Sequence, residues 1–281
     1  MYLFAVPNKG ALSEAAVEIL KSAGYQCRRV SRELVVRDAA HGVEFLFLRP
    51  RDIAIYVGSG VVHAGITGRD LAQDSLAEVD ECLALGLGKS RFCYAAPRSE
   101  NLSVNDLGGK RIATSYPNLV RADLERRGVD ATVVRLDGAV EISIQLGVAD
   151  VIADVVESGR TLYEAGLEII GEPIMHSEAV VVRRQGEEPA PELASLVQRL
   201  EGILVARNYV LLEYVVPTKN LEAACAITPG VKSPTLSPVS DPDWMAVAAM
   251  VKSKELNAVI DQLVELEGRG IIAQEIKTCR L

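Results

Sequence analysis

Histidine is scarce in this chain: three residues in 281, at His41, His63 and His176. None stands at a spacing typical of metal ligands, and a hydrolytic triad would have little imidazole to draw on. Each reads as a surface or strand residue, so any chemistry must proceed without an obvious imidazole. The five cysteines (Cys27, Cys82, Cys93, Cys225 and Cys279) are scattered, with no C-x-x-C pair. An odd, dispersed set fits reduced thiols in a cytoplasmic protein better than a disulfide frame or a zinc site. No stretch approaches the roughly 20 apolar residues that a membrane span needs. The opening "MYLFAVPNKG" holds too short an apolar run before Pro7 for a secretory core, and a soluble, cytoplasmic chain is expected. A basic block is missing too. Lys and Arg total 30 against 38 Asp and Glu, a net charge of −8, which argues against nucleic acid or an anionic membrane as partner. A phosphorylated ligand stays open, because backbone N–H groups and one or two cations can hold a phosphate. Low-complexity tracts, heptads and solenoid periods are likewise missing.

What is present is ordinary globular composition, 49% hydrophobic and 24% charged, in a chain long enough for two or three domains. Over the first 90 residues, strand patterns ("YLFAVP", "VEFLFLR", "HAGIT") alternate with helical ones ("LSEAAVEILKSAGY", "RDIAIYVGSG"). Ser13 is the expected N-cap of the first helix and Gly24 its stop. From about residue 91 the alternation restarts, with strands "RFCYAAP", "KRIATS", "ATVVRL" and "DVIADVV" and helices "NLVRADLERRG" and "AVEISIQLG". Such alternation predicts βαβ units with a mainly parallel sheet. The polar stretch "RRQGEEPAPEL" marks a crossing, and the helix "LASLVQRLEGILVAR" follows. The last 75 or so residues read βαββαβ, the ferredoxin-like order.

Two segments resemble each other. Gly60 precedes Thr67 by seven residues, as Gly147 precedes Asp154. Each reads as helix, tight turn, apolar strand, polar loop and new helix. If the lobes are duplicates, the two polar loops face each other at strand carboxyl ends, where open α/β sheets bind ligands. Nucleotide motifs fail. "LALGLGKS" has Leu83 where a phosphate loop needs its first glycine, and "GSGVVHAG" has His63 where a dinucleotide fingerprint needs its third.

The stretch "DVVESGRTL" (154–162) is richer. Ser158, Gly159 and Thr161 sit at a helix start, where close backbone approach and hydroxyls suit a phosphate. Two carboxylates beside a phosphate seat are electrostatically sensible if a ribose separates them from the anion, its diol donating to Asp154 and Glu157. Arg160 adds a charge or points to solvent. A Ser/Thr-capped helix with incidental surface acids explains the motif equally well.

From Glu141 to Leu162 the spacing runs Glu, five residues, Gly147, Ala149, Ile152, Asp154-Val155, Ser158-Gly159, then Thr161-Leu162. At every specified position this resembles the signature of ATP phosphoribosyltransferases, the first enzymes of histidine biosynthesis. "VPNKGALSE", "LRPRDIAIYVGSG", "GITGRDL", "IATSYPNLV" and "SPTLSPVSD" also look like the long form of that family. The resemblance implies transfer of phosphoribosyl from phosphoribosyl pyrophosphate to N1 of the adenine of ATP, with Mg²⁺. It implies two periplasmic-binding-protein-like α/β lobes, 1–90 plus about 184–206 and 91–183, and a ferredoxin-like regulatory domain at 207–281. It assigns the phosphoribosyl group to Asp154, Glu157, Ser158, Gly159, Arg160 and Thr161. Lys9 and Arg49 would face the pyrophosphate, a solvated turn lysine and a surface ion-pair arginine being the plain alternatives. Asp70 and Tyr116 would lie near ATP, Tyr116 either stacking on a base or capping the packing. Glu141 would accept a proton from the adenine amino group or simply be a helix-end charge. Histidine would inhibit at Ser233 and Thr235, and dimers would assemble into a hexamer. A non-catalytic two-lobed binding protein and a different phosphoribosyltransferase are the competing readings.

Overall fold

The computed structural model describes residues 1–29 and 33–280. It divides into two compact units, Met1–Ala194 and Ser195–Leu281. In the first unit the chain begins with β1 (Tyr2–Pro7), α1 (Ala11–Ser22), β2 (Val35–Asp38), β3 (Val43–Leu48), α2 (Pro50–Gly58), β4 (Ala64–Gly68), α3 (Arg69–Asp74) and β5 (Val79–Ala84). It continues through β6 (Ser90–Pro97), β7 (Arg111–Thr114), α4 (Pro117–Arg127), β8 (Thr132–Arg135) and α5 (Ile142–Gln145). Then come β9 (Val151–Val156), α6 (Arg160–Glu164), β10 (Leu167–Ser177) and β11 (Ala179–Arg184). Two sheets result, ordered β2-β3-β1-β4-β11-β5 and β10-β6-β9-β7-β8. These are the two α/β lobes expected of the periplasmic-binding type.

Strand membership shows where the lobes exchange chain. β11 lies between β4 and β5 and is antiparallel to both. The chain therefore returns to the first sheet at Glu178, earlier than the expected 183–184 junction. The double crossing also corrects the expectation of mainly parallel sheets. β1 is parallel to β3 and β4, and β7 to β8 and β9, but the remaining pairings of both sheets are antiparallel. Strands that arrive from the other lobe enter against the local direction.

Local causes are visible along the chain. Phe4, Ala5 and Val6 of β1 are all fully buried, so this central strand reads as a continuous apolar run rather than an alternation. Ser13 is not the N-cap of α1. The helix starts two residues earlier because Gly10 takes φ 76°, and Ser13 is buried inside the first turn. The stretch "YEAGLEII" (163–170) divides between helix and strand. α6 ends at Glu164, Gly166 adopts φ 76°, and Leu167–Ile170 pair with β6 as part of β10. A short apolar run has no periodicity that separates the two outcomes, and pairing decides.

The boundary between the units falls inside α7 (Pro191–Asn208). The second unit continues with β12 (Tyr209–Pro217), α8 (Leu221–Ile227), β13 (Thr235–Pro238), β14 (Trp244–Lys252), α9 (Leu256–Glu265) and β15 (Arg269–Glu275). Its antiparallel sheet, ordered β13-β14-β12-β15, is the ferredoxin-like arrangement. Leu212, Tyr214 and Val216, alternate residues of β12, supply its core with Val247, Val251 and Leu263. The last residue of the expected regulatory domain, Leu281, lies outside the described residues.

Candidate active site

β9 carries the acid that the sequence singled out. Val151 and Ala153 pack into one hydrophobic cluster of the second lobe, Ile152 and Val156 into another on the opposite face. Strand alternation puts Asp154 on the side of Ile152 and Val156, two residues before the strand ends. Gly159 follows in the left-handed region (φ 79°) and turns the chain into α6. A Cβ there would meet only Val156, at 3.8 Å, so the dihedral rather than lack of space calls for glycine.

Around this turn lies a cavity of about 380 Å³ whose lining includes Glu141, Asp154, Glu157, Ser158, Gly159 and Thr161. Glu141 arrives from the loop after β8, at the start of the one-turn α5. The structure thus brings five of the six expected phosphoribosyl residues together with the expected proton acceptor. Arg160 stands apart. It does not line the cavity, and its Nε donates to Glu164 Oε1 at 2.7 Å on the exposed side of α6.

Asp154 has no basic partner among the described residues, and the one hydrogen bond it accepts there comes from the adjacent Val155 N–H at 2.8 Å. Burial raises its pKa, helped by the charges of Glu141 and Asp70. Asp70 belongs to the first lobe, at the start of α3. At the Thr67 position, equivalent to Asp154 in the repeated segment, a hydroxyl donates to Pro50 O at 2.7 Å and is fully buried. The two loops have taken different tasks.

Asp70 is buried and closely held. Its N–H donates to Ser177 Oγ at 3.1 Å, and Ser177 Oγ donates back to Asp70 Oδ1 at 2.8 Å. A Cβ on Gly68 would collide with that same Oδ1. The Tyr116 phenol lies close to Asp70, and burial, then the Asp70 charge, pushes it far above its ordinary pKa. Arg51 lies 4.8 Å from the Tyr116 ring centroid, and Phe92 packs at 5.2 Å. Arg51 and Phe92 thus pack against the Tyr116 ring.

Lys9 follows β1 by two residues and Arg49 follows β3 directly; both are exposed. Since β1 and β3 are parallel neighbours, both cations follow strand carboxyl ends on the same side of the sheet. Between them Asn8 donates its N–H to Leu48 O at 2.8 Å, while its buried Oδ1 has no partner among the described residues. Ser233 and Thr235 belong to the second unit, exposed at the start of edge strand β13. Sequence reasoning passed over Asn8, Arg51, Asp74, Asn118 and Ser177. Several lie inside quoted segments, but their pairings span up to 107 positions, which no local pattern signals.

Residues 49–202 match the ATP phosphoribosyltransferase family, and residues 206–278 match the HisG C-terminal domain. An ATP phosphoribosyltransferase of Corynebacterium jeikeium is 56% identical over 281 residues, 100% of both chains. One of Mycobacterium tuberculosis is 53% identical over 283 residues, again with 100% of each chain covered. Among solved structures, an ATP phosphoribosyl transferase (HisG:HisZ) complex from Thermotoga maritima shares 28% identity with a TM-score of 0.64, over 73% of this chain and 99% of that one. An acid-and-hydroxyl cavity at the end of β9, two family segments spanning most of the chain and full-length relatives agree: the chain belongs to the ATP phosphoribosyltransferase family, transferases of histidine biosynthesis.

Proposed function

We propose that this enzyme joins N1 of the adenine of ATP to C1 of phosphoribosyl pyrophosphate, giving N1-(5-phosphoribosyl)-ATP and pyrophosphate. The cavity at the end of β9 carries this reading. It presents two carboxylates for a ribose diol beside a Ser-Gly-x-Thr turn for the 5-phosphate. In the reaction the N1 lone pair forms the bond to C1 while the C1–O bond breaks, its electron pair leaving on pyrophosphate. The adenine amino group releases a proton, and Glu141, lining the same cavity, accepts it. Lys9 and Arg49 neutralise the departing pyrophosphate, and Asp70 with Tyr116 aligns the adenosine. Positioning and electrostatics supply most of the acceleration, in keeping with the lack of imidazole.

Mg²⁺ enters this reading with the substrate. Among the described residues no group of three His, Cys, Asp or Glu side chains converges as a metal cage. Phosphate oxygens and water are common Mg²⁺ ligands in such sites. Histidine acts as feedback inhibitor at the second unit, with Ser233 and Thr235 in its contact region, and dimers build a hexamer in the cytoplasm. No helix of the described residues is long and apolar enough to cross a membrane.

The deciding experiment incubates the full chain with ATP, phosphoribosyl pyrophosphate and Mg²⁺. Pyrophosphate release in step with the absorbance of an N1-substituted adenine is expected; intact substrates after prolonged incubation would sink the reading. Adding histidine should slow the reaction, and Thr235→Ala should weaken that effect without changing the uninhibited rate.

A further inference from the structure

α4 begins with an uncapped end. Its N-cap is Tyr116, which makes no side-chain cap bond, and Pro117 follows without an N–H. The missing acceptor comes from the other lobe. Asp74, the last residue of α3 and buried, accepts the Asn118 N–H at 2.9 Å and the Leu119 N–H at 3.2 Å through Oδ1. Its backbone oxygen accepts Asn118 Nδ2 at 2.7 Å. Its second carboxylate oxygen takes Arg51 Nη1 at 3.0 Å, and it is this Arg51 that lies over the Tyr116 ring. The Tyr116 phenol in turn lies beside Asp70, at the opposite end of α3. Asp74, Arg51, Tyr116 and Asp70 therefore stand in a ring of neighbours, and the Asp74 bonds join α2 and α3 of the first lobe to α4 of the second.

We propose that Asp74 is a positioning residue for the ATP side of the site: it caps α4 from across the lobes and, with Arg51, holds Tyr116 and Asp70 in their working geometry. The inference rests on the reaction proposed above. A cap supplied by another lobe is expensive to lose, because a buried amide at Leu119, a partly buried one at Asn118 and the partly exposed Arg51 guanidinium would all lose their acceptor. It also ties the Tyr116 hydroxyl to the angle between the lobes, whereas the Ser158–Thr161 turn lies outside the ring.

Steady-state kinetics on Asp74→Ala, Tyr116→Phe and the double variant test this. Asp74→Ala should raise the KM for ATP about tenfold or more, as displacements of about an ångström do. The KM for phosphoribosyl pyrophosphate should stay within about twofold. Because both residues act through one ring, the double variant should be no worse than about twofold beyond the weaker single. Asp74→Asn, which keeps an oxygen for the two amides, should recover most of the loss; it replaces Asp74→Ala in the cycle if the alanine variant does not fold. Multiplying losses, or equal increases in both KM values, would overturn the proposal. If the wild type releases no pyrophosphate, the reaction assignment is what fails. ATP titration by calorimetry then judges the ring by the same cycle.

Discussion

Asp150 stands just ahead of β9 and Asp154 within it, and the protein treats these two acids in opposite ways. Asp150, just ahead of the strand, accepts the Arg111 N–H at 2.8 Å and the Arg111 guanidinium at 2.7 and 3.2 Å. The Arg111 side chain, then its backbone N–H, holds the carboxyl down to about 2. Asp154, toward the other end, is deeper, faces two more acids and has no cation, and burial drives its pKa up. The amino end of the strand is built for stability. The carboxyl end keeps an acid where burial and neighbouring carboxylates oppose its charge, as sites awaiting a ligand do.

The largest effect should come from removing the acid that presses on Asp154. Glu141→Gln should lower kcat about 100-fold or more while leaving both KM values nearly unchanged. An unaltered turnover number would remove Glu141 from the chemistry. Asp154→Asn sharpens the contrast, because activity and stability should move apart. Losing charge-assisted bonds to the diol, roughly 1.5–3 kcal/mol, should cut kcat/KM for phosphoribosyl pyrophosphate about 10- to 100-fold. The unliganded Tm at pH 7 should rise by about 2–4 °C. The sign follows from linkage: below the unfolded carboxyl pKa the acid is neutral in both states. As pH rises from there through the raised folded value, the unfolded chain gains more from ionisation and stability falls. Scanning calorimetry across that window should show the fall in wild type and its loss in the variant; a lower Tm for Asp154→Asn would break the comparison.

Asp150→Asn should do the reverse. Turnover should stay within about twofold and Tm should drop by about 2 °C, since the ion pair is half-exposed. Its folded pKa is depressed, so its contribution is complete above the unfolded value of about 3.9 and is lost as pH falls to about 2. The two Tm curves should therefore converge in acid. Arg160→Ala should do least, changing stability by less than about 0.5 kcal/mol and KM for phosphoribosyl pyrophosphate by less than about twofold. A tenfold rise in that KM would mean that Arg160 leaves Glu164 for the phosphate.

Much of this was legible in the chain itself. The spacing from Glu141 to Thr161 marks residues that do meet around one cavity, because strand, turn and helix start are contiguous and their geometry is local. The βαββαβ order of the second unit was equally readable, with β12 and β14 burying alternate apolar residues. Less readable were β2, β5 and β11, short strands whose pairing partners lie elsewhere in the chain. The return of the chain at Glu178 was hidden for the same reason. Ser13 misled because a preceding glycine, free to adopt positive φ, starts the helix first.

By itself, then, the amino-acid order determined the strand–turn that carries Asp154, the left-handed Gly159 and the alternation of elements, all consequences of neighbours within a few residues. Tertiary structure alone decided that Asp74 would cap a helix of the other lobe, that Ser177 would anchor Asp70, and that Arg160 would turn away from the cavity. Those outcomes depend on distances between groups remote in sequence and on how much water each loses. They are set only when the two sheets have packed.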